Sequence, residues 1–244
     1  MRKNIKWIYR GNKIFRPLRE FIFQLNEDII TKQRFLAVRI FHCDCCMMVD
    51  TKDSYGLDVA RSGRIETPED EYLKKILRKE GVILDIGAHW GGFSLLFGSI
   101  VKGYGKVLAF EASKKNFKIL KKNLKINKLL DCVMPFNYAV GNYDGIIEFP
   151  LSKTSSGHNS LVRKDIPILG YDKIEQIKLD RFLIQKNVEK VNFIKIDIEG
   201  YELEALKGLE STMKRSEDLK MFIEFSPAFM GEGKSLELLD FLKH

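Results

Sequence analysis

The chain has 244 residues, of which 45% are hydrophobic and 30% charged, with four cysteines and a formal net charge of +8. That length suits one domain with an N-terminal extension, and the apolar share can build a core. Its apolar runs fall well short of the ~20 residues that span a bilayer, and Cys43, Cys45, Cys46 and Cys132 are too few and too irregular for a disulfide framework.

Met1 to Asn12 carries no apolar signal-peptide core, so a cytoplasmic location is expected. Positive charge crowds the start. Arg2, Lys3, Lys6, Arg10, Lys13, Arg16 and Arg19 interleave with Trp7, Ile8, Phe15 and Leu18. Such a segment either packs its apolar side on the domain, the favoured reading, or makes peripheral contact with an anionic membrane. Nucleic acid is not expected as a partner, because no recognition module follows. Residues 1–50 are read as a basic helical extension, with helix to about Ile40 and β character from Val38 to Val49; residues 51–244 are read as the main domain.

Asp53-Ser54-Tyr55-Gly56 reads as a turn. Thr67-Pro68-Glu69 starts a helix: Thr67 caps, Pro68 suits the first helical position, and the acids suit the dipole. Tyr72, Leu73, Ile76 and Leu77 are its expected buried face. A strand–helix alternation then begins: strand Val82–Ile86, helix Phe93–Lys102, strand Lys106–Phe110, helix Lys114–Ile126, strand Val133–Val140, and a hairpin strand Ile146–Leu151. Residues Ser152 to Gly170 read as a polar loop and Ile174–Leu179 as a short strand. Strand Val191–Ile198, helix Glu202–Leu209, strand Met221–Phe225 and helix Leu236–Leu242 complete the chain. This rhythm predicts an α/β fold with a largely parallel sheet, helices on both faces and right-handed crossovers.

In open α/β sheets ligands bind beyond the carboxyl ends of the strands. The first strand there ends in Asp85, then Gly87, Ala88, Gly91 and Gly92; the second ends in Glu111. Glycine lets the backbone approach a ligand, and an acid on the second strand can accept both ribose hydroxyls. The leading Asp85 would repel a pyrophosphate but welcome the ammonium of S-adenosylmethionine, so that cofactor is expected over a nicotinamide. Asn137 and Ala139 fall where an adenine would rest. On strand four Lys195, Asp197 and Glu199 share one face. Asp197 is the candidate base for a substrate hydroxyl, with His158 a second candidate. Glu224 ends strand five as a further catalytic candidate or a buried ion-pair member. Asn159, Ser160 and Glu199 are candidate acceptor contacts, and Glu202 is read as stabilising its helix N-terminus. His42-Cys43-Asp44-Cys45-Cys46 lacks paired metal-knuckle spacing, and a divalent cation on the oxygens of Asp197, Glu199 and Glu224 is the less favoured reading, so no metal site is expected.

Taken together, LDIGAHWGGFS, FEAS, Asn137-x-Ala139-Val140-Gly141, Asn159-Ser160-Leu161, IKIDIEGYE and FIEFS resemble the FkbM family of S-adenosylmethionine-dependent methyltransferases, from about Asp53 onward. The resemblance implies a class-I Rossmann-like fold and O-methylation of a hydroxyl, often on a sugar or other small-molecule or glycan acceptor. It also implies cofactor contacts at Asp85, Gly87, Gly91 and Glu111. The family usually carries Asn at the position of His89, a smaller residue at Trp90 and Pro at Ala112. Its terminal antiparallel strand pair has no counterpart before His244, which predicts an exposed sheet edge beside strand five, open to oligomerisation. A catalytically degenerate binding or membrane-associated module is the alternative reading.

Overall fold

Continuous aliphatic runs such as Val82-Ile83-Leu84 suit strands covered on both faces, and from Gly81 onward they assemble a five-stranded, all-parallel sheet. The computed structural model describes residues 33–40, 43–65 and 69–243. In chain order the strands and helices are β1 (Phe35–Ile40), β2 (Cys45–Asp50), α1 (Ser54–Ser62), α2 (Glu69–Ile76), β3 (Gly81–Ile86), α3 (Gly92–Val101), β4 (Gly105–Phe110) and α4 (Lys114–Ile126). These are followed by β5 (Val133–Phe136), β6 (Ala139–Gly141), β7 (Gly145–Ser152), β8 (Ile168–Lys178), α5 (Leu179–Gln185) and β9 (Phe193–Ile196). The last elements are α6 (Glu202–Lys207), α7 (Glu210–Arg215), β10 (Lys220–Ile223), α8 (Pro227–Met230) and α9 (Glu232–Phe241).

The sheet order is β10-β9-β3-β4-β5. The chain runs outward from β3 through β4 to β5, then returns to add β9 and β10 on the other side. The direction reverses between β3 and β9, where a parallel sheet opens its crevice. Side chains alternate across the sheet. Ile83, Val107 and Phe193 face a core layer with Trp90, Leu95 and Leu120. Leu84, Ile86, Phe110, Ile194 and Ile196 face a second layer with Leu183, Leu203 and Leu206. Among the described residues β10 and β5 are the two edges of this sheet.

Several expectations need correction. Helix to Ile40 is replaced, over its described part, by the antiparallel pair β1–β2, with Phe35 opposite Asp50 and Ile40 opposite Cys45. This hairpin belongs to the main core: Ile40, Met47 and Val49 are fully buried beside Trp90 and Leu124. Two amides bind β2 to α4. Asn123 accepts from the Met48 N–H at 2.7 Å and donates to Met48 O and Trp90 O, while Asn127 bonds both N–H and C=O of Cys46. The basic segment before residue 33, His42, and the Thr67-Pro68 cap lie outside the described residues.

Asp53-Ser54-Tyr55-Gly56 is the start of α1 and no turn; the Asp53 carboxylate accepts from the Tyr55 N–H as N-cap. On α2, Leu73 is buried but Tyr72 is exposed. The expected strand Val133–Val140 breaks at Asn137, whose side-chain amide donates to Glu111 O and Ala112 O and turns the chain out of the sheet. β6 then joins a separate three-stranded sheet of order β6-β8-β7. The polar stretch read as loop to Gly170 yields at Ile168 to the long strand β8, and Leu179 opens α5, a helix the sequence did not reveal. The last helix begins at Glu232, four residues before the expected Leu236.

Candidate active site

At the carboxyl ends of β3, β4, β9 and β10 lies a cavity of about 320 Å³, within the range of small-molecule sites. The turn after β3 forms its floor. The N–H groups of Gly87 and Ala88 both donate to Phe110 O, at 3.0 and 2.9 Å. Gly87 has φ +79°, and a Cβ there would sit 1.8 Å from Asp197 O. Only glycine permits this approach of β3 to β9. His89 follows at φ +50°.

Glu111, 7% exposed, receives the His89 N–H on one carboxylate oxygen at 2.7 Å and the Ser113 N–H on the other at 2.8 Å. Burial pushes its carboxyl up to about 7, against the pull of those N–H donors. The carboxylate is aimed before any ligand arrives, and each oxygen keeps a lone pair for the cavity.

Asp85 is placed differently from expectation. It is wholly buried and does not line the cavity. β3–β9 pairing sets it beside Lys195. Its carboxylate accepts from the Ser94 hydroxyl at 2.5 Å and lies 3.8 Å from Lys195 Nζ. Burial raises its pKa, with the Lys195 ammonium opposing. Asp85 therefore supports the floor from beneath. Lys195, itself 2% exposed, donates to Gly87 O at 3.0 Å and lies 3.2 Å from the Asp197 carboxylate. One cation thus ties the glycine turn, the buried acid and the half-exposed acid of the cavity wall.

Asp197, Glu199, Glu224, His158, Asn159, Ala88 and Ala139 all line the cavity, as the sequence suggested. Asn137, Gly91 and Ser160 do not. Asn137 is spent on the β5–β6 break, Gly91 caps α3 in the left-handed region, and the Ser160 hydroxyl donates to Glu199 O at 2.7 Å. Trp90 is fully buried below the turn, its indole N–H donating to Asn116 Oδ1 at 2.9 Å, so it leaves the cavity open. Glu202 closes the β9 turn, accepting from the N–H groups of Ile198 and Gly200.

Ser156 was not legible as a site residue. Its hydroxyl meets His89 Nε2 at 2.8 Å, its N–H donates to Asp53 at 2.8 Å and its C=O accepts from Asn116. These bonds fasten the short 3₁₀ turn Ser156–His158 across the mouth. Burial pushes the His89 imidazole down to about 3. Tyr55 on α1 also lines the cavity; its helical spacing with Val59 was the available signal.

Burial first, then the charges of Asp197 and Glu199, push the Glu224 carboxyl up to about 8. A carboxyl raised in the folded state costs stability wherever the unfolded chain has already lost its proton. Both carboxyls therefore make stability fall as pH rises from the unfolded value of 4.5, Glu111 up to about 7 and Glu224 up to about 8. His89 has the opposite sign, but its contribution is complete by the unfolded value of 6.5. Glu224→Gln is expected to flatten part of this slope and to raise the melting temperature at pH 8 more than at pH 6.5. Parallel wild-type and variant curves would contradict it.

Comparison with known proteins adds the following. Residues 85–244 match the family described as "Methyltransferase FkbM domain". The hexuronic acid methyltransferase AglP of Haloferax volcanii is 26% identical over 149 residues; the match covers 60% of this chain and 58% of that protein. A methyltransferase FkbM from Methylobacillus flagellatus superposes with TM-score 0.47 at 17% identity, covering 92% of this chain and 53% of that one. An O-methyltransferase from Bacillus cereus does so with TM-score 0.44 at 13% identity, covering 98% and 80%.

Proposed function

Because the chain belongs to the methyltransferase FkbM family, we propose that it is an S-adenosylmethionine-dependent methyltransferase acting on a hydroxyl of a sugar or other small-molecule acceptor. The observation that carries this reading is Glu111 at the end of β4, held by two backbone N–H groups with its carboxylate on the cavity wall. The residues fit the cofactor. Glu111 suits ribose hydroxyls, Tyr138, Ala139 and Phe149 offer apolar walls for a base, and Gly87 and Ala88 keep the floor free of bulk. The amino-acid end would lie over Gly87 and Ala88. When bound, S-adenosylmethionine supplies a methyl group on an electrophilic sulfonium.

The chain itself would supply orientation and a proton acceptor. Asp197 projects a carboxylate from the end of β9 between the turn and β10, where it can take the hydroxyl proton as that oxygen becomes nucleophilic. Lys195 holds this carboxylate at 3.2 Å and limits its rotation. Ser156 and His158 narrow the mouth, which favours a fixed substrate pose and excludes water. A sugar as acceptor is supported by the name of the Haloferax volcanii relative, a hexuronic acid methyltransferase.

The test is thermal stabilisation by S-adenosylhomocysteine. At 100 times its dissociation constant a ligand adds about 2.7 kcal/mol. Wild type is expected to shift with S-adenosylhomocysteine and not with NADH, and Glu111→Ala to lose the shift. A melting temperature indifferent to S-adenosylhomocysteine would refute the reading.

A further inference from the structure

The cofactor fit uses the β3–β4 side of the cavity and leaves the β9–β10 side for the acceptor. That side is acidic. One carboxylate oxygen from each of Asp197, Glu199 and Glu224 lies within 4.8 Å of the others. Among the described residues the neighbouring cations are already engaged. Lys195 is buried against Gly87 O, Asp85 and Asp197. Arg163 bonds Glu199 at 2.6 Å and Asp165 at 2.8 and 3.1 Å, with its guanidinium over the Phe229 ring. Neither presents an open fork to a carboxylate ligand.

We infer that the acceptor bound beside β9 and β10 is a neutral or amino-substituted sugar, rich in hydrogen-bond donors and carrying no carboxylate. This rests on the methyl-transfer reading above for the identity of the cavity, while its chemistry comes from the wall. Ionised carboxylates only accept hydrogen bonds, so they match hydroxyl and ammonium donors. A third acid entering the cluster would meet like charge at short range. Glu224 reports that field: Asp197 and Glu199 both oppose its ionisation, after burial. A uronate would face the same two charges.

The experiment measures binding of methyl glucosaminide, methyl glucoside and methyl glucuronide to the full chain at pH 7.5 by saturation-transfer NMR titration, with and without S-adenosylhomocysteine. Methyl glucosaminide is expected to bind at least about tenfold tighter than methyl glucuronide, with methyl glucoside between them. Glu199→Gln should narrow that gap, whereas Glu224→Gln, which removes a carboxyl already largely protonated at pH 7.5, should change it less. Glucuronide binding as tight as glucosaminide, or no binding by any of the three, would overturn the inference. Failure of S-adenosylhomocysteine to bind would instead defeat the methyl-transfer reading, since the sugar order is read in its absence too.

Discussion

Asp197→Asn is expected to lower the rate constant for methyl transfer by roughly 10²–10⁴-fold, the usual weight of a positioned acid or base, while S-adenosylhomocysteine affinity changes little. Asparagine keeps the shape of the side chain and an oxygen for Lys195, now 3.2 Å from the carboxylate. What it loses is the capacity to take a proton. The rival acceptors in the same wall are Glu224 and His158. Glu224 holds its proton up to about pH 8, so it is a poor base at neutral pH. His158 sits on the 3₁₀ turn at the mouth. Single-turnover kinetics with calorimetry on each variant separates the three. An Asp197→Asn enzyme with wild-type turnover would transfer the role to one of the others.

Lys195→Met is expected to destabilise the fold by about 3–5 kcal/mol, the typical result of removing one partner from a buried ion pair. Asp85 would be left wholly buried with only the Ser94 hydroxyl, and Gly87 O would lose its donor. Methionine fills similar volume beside Phe93, so the loss reads as electrostatic and not as a cavity. The double variant Lys195→Met with Asp85→Asn should recover much of the stability, because the stranded charge is gone. Denaturant unfolding of the two single variants and the double one measures the coupling directly. Additive losses would mean that Asp85 and Lys195 do not depend on each other.

The alternation from Val82 to Ile126 was legible because each strand is a short aliphatic run ended by an acid or glycine, and each helix shows apolar spacing. Leu120 and Leu124, apolar positions four apart, are fully buried on α4. β8 was not legible at its start, since Gly170 and Asp172 break the apolar run there and the large side chains Leu169 and Tyr171 are exposed. α1 was hidden for a different reason. Asp53 and Ser54 suit a turn as well as a helix cap, and what selects the helix is Asp53 binding the N–H groups of both Tyr55 and Ser156.

The order of side chains along the chain determined by itself the parallel sheet, the glycine turn and the placement of Glu111 and Asp197 at strand ends, because these follow from period and from local backbone demands. Which acid faces the cavity was decided only by tertiary structure. Asp85 and Asp197 both terminate apolar strands, but pairing of β3 with β9 sets Asp85 beside Lys195. That cation offsets the cost of burying Asp85 and leaves Asp197 at the surface of the crevice. No local pattern encodes that choice, since it depends on two strands more than 100 residues apart meeting in one register.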